Sequence, residues 1–184
     1  MPRPDSPQPP FSLDDARVLL RHAPQRVAAL LQPLPPRLLT VNEGPGTWTC
    51  VEVLSHLVWC EEDNWVQRVR VLREHGSGEA FRSFDREEGF HRYAGWSIDR
   101  LLTEFSNLRA RNLADVETLS LTVSDLAAEG RHPTFGPVTL EQLLATWVTH
   151  DFAHLTQMAR ILTKESGRYV GPWRAFFSLL RDAP

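Results

Sequence analysis

The sequence predicts an all-α fold: a four-helix bundle of up-down-down-up topology, with one long crossover and a short C-terminal helix. Three observations predict it. Four segments repeat apolar residues at helical spacing, and each opens on a recognisable cap. No stretch alternates convincingly as a strand would. A polar, glycine-punctuated run, residues 76–95, separates the second helix from the third. It is long enough to return the chain to its starting end, so that those two helices run parallel.

Residues 1–11 form a Pro-rich tail expected to be disordered, and residues 12–184 a single domain. The first helix opens at Ser12, with Phe11 before it and Asp15 three residues on; Leu13, Ala16, Leu19 and Leu20 begin its apolar stripe. Pro24 either kinks this helix or starts a second piece that continues through Val27, Leu30 and Leu31. Pro33, Pro35 and Pro36 end it, and residues 37–48 read as a loop. The second helix is capped by Thr49 with Glu52 three residues later, Trp48 stapling against Val53, and is expected to run unbroken to His75 before Gly76 and Gly78. One short helical turn is expected within the crossover, at Asp85–Gly89.

Ser97 caps the third helix, whose buried face is Leu101, Leu102, Phe105, Leu108 and Leu113. Residues 119–126 alternate weakly and suit an extended link. Thr139 and Gln142 box the start of the fourth helix, which reaches Lys164. Pro172–Leu180 is expected to be a short apolar helix docked on the bundle and a candidate dimer contact.

Composition narrows the function. Apolar residues make up 42% of the 184 and charged ones 23%, with a net charge of −3 and no basic block. That is an ordinary globular balance, with no footprint for nucleic acid or an anionic membrane. No apolar run is long enough to span a bilayer. The start, MPRPDSPQPP, lacks the apolar core of a signal peptide, so the expected location is cytoplasmic. Cys50 and Cys60 lie ten residues apart on one predicted helix, roughly 15 Å along its axis and too far to bridge.

The chemistry gathers on the fourth helix. Stepping by three or four from Leu143 gives Trp147, His150, His154, Met158 and Ile161, so two histidines occupy the stripe that faces the interior. Two imidazoles there are either core groups bonded to backbone and to each other, or ligands of a divalent metal. His56, between Val53 and Cys60 on the second helix, supplies a third ring on a facing helix. Metal sites in such bundles are built from inward side chains of this kind.

Taken together, TWTCVEVLSHLVWCEE and GPVTLEQLLATWVTHDFAHLTQMARI resemble the DinB/YfiT-like superfamily over residues 12–165. Its pattern opens the second helix with Trp-Ser/Thr-x-x-Glu-hydrophobic-x-x-His, here Trp48, Thr49, Glu52, Val53 and His56. It places a His-x-x-x-His pair in the fourth, often HDxxHxxQ, here His150, Asp151, His154 and Gln157. The resemblance implies a divalent metal held by His56, His150 and His154, with the remaining positions left to water or substrate, in a homodimer. It also implies a metal-dependent S-transferase or isomerase that uses a low-molecular-weight thiol such as bacillithiol or mycothiol. Some members of the family respond to DNA damage, and many have no assigned activity.

Three neutral imidazoles suit zinc or nickel, with iron or manganese less favoured, and leave at least one position open, as at a catalytic site. A thiol or water there becomes a nucleophile near neutral pH, and a small electrophile completes the reaction. The competing readings are a non-catalytic metal or small-ligand protein of the stress response, and a module whose metal only joins helices. Around the metal, Cys60 is a possible fourth ligand or a small core residue. Asp63 is an outer acceptor for an imidazole or a solvated surface carboxylate, and Asp151 bonds another helix or an outer imidazole. Gln157 is an outer partner, a polar contact to substrate or a plain helix-face amide, and Glu52 is the capping residue. Trp59 and Trp147 are core or pocket walls. His91, Arg92 and Tyr93 in the crossover either hold an anionic group over the metal or are solvated. His22, His75 and His132 have no partner at metal spacing.

Overall fold

The computed structural model describes residues 10–180. Most of the expected Pro-rich tail, residues 1–9, lies outside the described residues, but Phe11 packs against the core. Ser12 caps α1 (Leu13–Arg21) by accepting from the Asp15 backbone N–H at 3.1 Å. Pro24 then sits in the first turn of a separate helix, α2 (Ala23–Leu31), where its missing N–H costs nothing. The loop that follows holds a single turn, α3 (Pro36–Leu39).

Thr49 and Glu52 close a reciprocal capping box on α4 (Cys50–Asp63): the Thr49 N–H donates to Glu52 Oε2 at 2.7 Å, and the Glu52 N–H to Thr49 Oγ1 at 3.2 Å. The helix expected to reach His75 unbroken is interrupted at Asn64 (φ −119°, ψ −67°) and resumes as α5 (Trp65–His75). The ladder survives on both sides, through Asn64 N–H to the Cys60 carbonyl and Arg68 N–H to the Asn64 carbonyl, each 3.2 Å. The result is a bend and not a stop.

In the crossover a short helix, α6 (Glu88–Arg92), presses on α4. Gly89 permits this approach, since a Cβ there would lie 2.6 Å from the Ser55 carbonyl oxygen. α7 (Ile98–Thr118) follows as expected, capped by Ser97.

Residues 119–139 depart most from the expectation. The link contains a 3-10 turn, Val123–Ala127, and leads into an antiparallel hairpin of β1 (Glu129–His132) and β2 (Gly136–Thr139), in which Glu129 faces Thr139 and His132 faces Gly136. Pro133 and Pro137 argue against strands in the sequence. A two-stranded ribbon has only edges, however, and there proline is tolerated. Thr139 ends the hairpin and caps α8 (Leu140–Ser166), so the strand aims the helix.

The C-terminal stretch is not the α-helix expected. It forms 3-10 turns at Gly171–Phe176 and Ser178–Leu180, and of its large apolar residues only Leu180 docks, against Gly167. So short a segment, without a one-sided stripe, cannot sustain an α-helix by itself.

Side-chain pairs establish the directions. Glu61 bonds Arg109 and Asn112, and Arg70 pairs with Asp115, so α4–α5 and α7 run parallel. Arg21 meets Glu117, while Val27 and Leu31 share a cluster with Leu101 and Phe105, which makes α1–α2 antiparallel to α7. His56 lies beside His150 and Glu61 beside Trp147, which sets α8 antiparallel to α4. The chain is an all-α four-helix bundle, up-down-down-up.

Its core is two apolar clusters. Trp65, Val69, Val116, Leu140 and Leu144 belong to one, and Val53, Leu54, Leu101, Phe105, Met158 and Ile161 to the other. Between them lies a polar layer. Arg109, 1% exposed, spends all five N–H groups: Nε and Nη2 on Glu61 (3.0 and 2.8 Å), Nη1 and Nη2 on Asp151 (2.7 and 2.9 Å), and Nη1 on the Leu20 carbonyl (2.8 Å). Glu61 also accepts from Trp147 Nε1 (2.9 Å) and Asn112 Nδ2 (3.0 Å). Every helix of the bundle touches this network.

Truncating Arg109 leaves two buried carboxylates without their cation. Arg109→Ala should therefore cost about 3–5 kcal/mol in urea unfolding. Arg70→Ala, which opens only the exposed Arg70–Asp115 pair, should cost about 1 kcal/mol or less.

Candidate metal centre

His56 lies in α4, one turn past the capping box, and is 4% exposed. His150 and His154 stack one turn apart on α8 and are half-buried. Because α4 and α8 are antiparallel neighbours, the three rings meet. His56 Nε2 is 3.0 Å from His150 Nε2, and His154 Nε2 is 3.2 Å from the same atom. Their ligating nitrogens form a group able to hold a metal ion. Tetrahedral coordination at a metal–nitrogen distance of 2.0–2.1 Å needs nitrogens about 3.3 Å apart. Two sides of the triangle fit directly, and all three nitrogens lie within 4.8 Å of one another.

The outward nitrogens are disposed accordingly. His56 Nδ1 lies 2.7 Å from the Arg86 carbonyl oxygen, an acceptor only, so this nitrogen carries the proton and Nε2 presents a lone pair. His154 Nδ1 lies 2.8 Å from Gln157 Oε1, which sets the same tautomer. His150 Nδ1 is buried without a partner among the described residues. Burial, above all, holds the rings neutral: it drives His56 down to about 4, with the Arg86 carbonyl opposing and the charges of His154 and Arg86 assisting. His150 falls to about 2 through burial and then its two neighbouring imidazoles, and His154 is also lowered by burial.

These rings form part of the wall of a cleft of about 540 Å3. Trp48 stacks on His154 (centroids 6.0 Å, planes 10° apart), and Trp65 sets its face edge-on to His150 at 5.1 Å. Arg160 of α8 clamps Glu43 through Nε at 2.8 Å and Nη2 at 2.6 Å, while Lys164 adds a contact at 2.9 Å. This ties the 37–48 loop over one side of the cleft. The Arg160 bond holds the Glu43 carboxyl down at about 2.

Several other residues singled out in the sequence stand elsewhere. Trp59 is not a cleft wall: it stacks on Phe84, donates to the Asp85 carbonyl at 2.8 Å and anchors the crossover. Trp147 lies behind Trp65 in the core (5.8 Å) and bonds Glu61. His91 is exposed, and Arg92 and Tyr93 both turn to Glu62, so none of the three reaches the imidazoles. Two crossover residues do: Arg86, through its carbonyl and through a guanidinium 5.0 Å over Trp48, and Phe84, whose ring lies edge-on to that of His56 at 6.2 Å. Asp63 pairs with Arg82, and Asp151 serves the polar layer, not an imidazole. Gln157 is an outer partner, of His154, and Glu52 is the cap.

Cys60, 1% exposed, places Sγ 3.4 Å from His56 Nε2 and 3.9 Å from His150 Nε2. It is not in the group with metal spacing, and burial raises its thiol well above the ordinary range. Trp65, Arg68, Arg86 and Arg160 line the cleft without having been singled out. Arg68 was detectable: four-residue steps from His56 pass through Cys60 and Asn64 to reach it.

Comparison with known proteins agrees with this fold. Residues 19–158 match the family model of the DinB superfamily. No curated protein matches significantly. Among solved structures, YfiT from Bacillus subtilis, described as "a probable metal-dependent hydrolase with an unusual four-helix bundle topology", superposes with a TM-score of 0.72. The two are 21% identical, over 89% of this chain and 94% of that one. TT2238, described as a four-helix bundle protein, gives 0.57 at 22% identity, over 80% of this chain and 98% of that one. At these identities the likeness is one of fold.

Depressed histidines make the metal-free protein sensitive to acid. The unfolded chain takes up these protons near pH 6.5, whereas folded His56 does so only near 4 and His150 near 2. Stability is therefore full above pH 6.5 and falls as the pH drops below it, because the unfolded state binds more protons. In chelator-treated protein, the urea midpoint should fall more between pH 7.5 and 5 than it does in His150→Asn.

Proposed function

The chain belongs to the DinB superfamily, and from that premise we propose that it is a metal-dependent enzyme whose cleft activates a low-molecular-weight thiol or water against a small electrophile. The observation that carries this reading is the triangle of three neutral imidazoles on the wall of an open cleft. His56, His150 and His154 are the proposed ligands, and zinc or nickel the proposed ion. Bound there, the cation would supply Lewis acidity and lower the pKa of a coordinated water or thiol towards neutrality.

The rest of the work falls to the chain. The Arg86 carbonyl and Gln157 orient two of the rings and hold their protons on Nδ1. Trp48 and Trp65 pack against the rings and limit water around them. Among the described residues, Glu43 is the one carboxylate lining the cleft, and it is engaged by Arg160 and Lys164. No lining side chain is thus free to act as a general base, which favours activation of the nucleophile by coordination. The description of YfiT as a probable hydrolase supports water in that role, and the family resemblance supports a thiol. A homodimer is part of the proposal; the exposed Trp173, Phe176, Phe177 and Leu179 are its proposed contact, an apolar surface of the kind that marks interaction sites. No described helix is long and apolar enough to cross a membrane, in keeping with the proposed cytoplasmic location.

Elemental analysis should find about one divalent ion per chain, lost in His150→Ala. A screen of several thiols and electrophiles, with ester and amide hydrolysis alongside, should show turnover that chelation abolishes while the protein stays folded. Metal content undiminished in His150→Ala would refute the ligand assignment. Unfolding on chelation would favour a structural metal, and metal binding without turnover a sensing or storage role.

A further inference from the structure

His56, Cys60, Asn64 and Arg68 follow one another at four-residue steps along α4 and α5, and all four line the cleft. The stripe runs from the imidazoles at one end to Arg68 at the other, and Arg68 also lines a neighbouring hollow with Phe81, Asp63 and Glu79. Twelve residues of helix and an arginine that reaches back towards the helix start leave a spacing on the order of 10 Å between them. That is the span of a small organic acid.

Arg68 differs from the arginines around it. Arg70 and Arg73 on the same helix pair with Asp115 and Asp125, and across the cleft Arg160 pairs with Glu43. Arg68 is half-buried, yet among the described residues its side chain has no ion pair and no hydrogen bond; its contact is the face of the Phe81 ring, 5.5 Å from Cζ. A guanidinium cannot shed its proton to relieve such burial. Its two predecessors in the wall are also incompletely bonded: Trp65 Nε1 and Asn64 Oδ1 are buried with no partner among the described residues. With Arg68, Arg86 and Arg160 set against the one Glu43, the lining carries an excess of two positive charges in a chain whose net charge is −3.

We infer that the cleft selects a small molecule bearing a carboxylate, which pairs with the Arg68 fork while the reactive part of the molecule lies at the three imidazoles. Arg86, the other lining cation that Glu43 does not hold, lies over Trp48 and 3.9 Å from Glu87, so Arg68 is the lining guanidinium left without an ion pair. One planar fork of this kind matches a carboxylate bidentately and suits a single negative charge. The inference rests on the preceding reading that this cleft is the substrate site, and it names the substrate's class.

The test is calorimetric titration of the metal-loaded full chain with 3-phenylpropanoate and its neutral isostere 3-phenylpropanamide, repeated after chelation. The acid should bind about tenfold or more tightly than the amide, with or without the metal. Arg68→Ala should erase that preference without changing metal content, and Arg68→Lys should keep part of it. The inference is overturned if acid and amide bind alike, if neither binds, or if Arg68→Ala keeps the preference while chelation removes it. The last result would mean that the carboxylate goes to the cation. An Arg68-dependent preference in a protein without turnover would sink the enzymatic reading and leave this subsite standing.

Discussion

One guanidinium holds the bundle in register. Arg109 lies between the two apolar clusters with every N–H engaged, reaching the Leu20 carbonyl of α1, Glu61 of α4 and Asp151 of α8 from its own place on α7. Apolar packing would tolerate some sliding of one helix along another, but a five-point network does not, because any slip strands a charge in the interior. The cost of burying three ions makes such a layer weak evidence for added stability and better evidence for a specified arrangement.

That arrangement is what the proposed metal centre needs. Glu61 follows Cys60, and Asp151 follows His150. Successive helical residues diverge by about 100°, so each helix turns one residue to the polar layer and its neighbour to the cleft. When Arg109 fixes Glu61 opposite Asp151, it also brings the His56 face of α4 to the His150 face of α8. Gly89 then lets the crossover lie close enough on α4 for the Arg86 carbonyl to orient the His56 ring.

Much of this was legible in the sequence because it depends on short-range signals. The caps at Ser12, Thr49, Ser97 and Thr139 and the apolar stripes behind them needed only neighbours three or four residues away, and the converging histidines followed from two such stripes facing each other. What escaped depends on tertiary contacts. Nothing in the residues around Asn64 announces a break, since neither proline nor glycine is present. No short-range signal sets Glu61 and Arg109 apart from ordinary helix-face charges, whereas the bond of Asp151 to another helix is one of the two roles its position suggests. Trp59 was a reasonable wall by distance along the helix, but it turns about 60° to one side of His56 while Cys60 turns about 40° to the other. The cleft lies on the Cys60 side, and the stripe there leads to Arg68.

The account turns on three imidazoles, and no sulfur, around one ion. X-ray absorption spectroscopy at the metal edge of the zinc- or nickel-loaded protein reads that shell directly. It should show nitrogen and oxygen scatterers with the outer-ring signature of three imidazoles. In protein prepared free of small thiols, a sulfur scatterer at about 2.3 Å, which would mean that Cys60 closes the site, or a signature of fewer than three imidazoles, would contradict it.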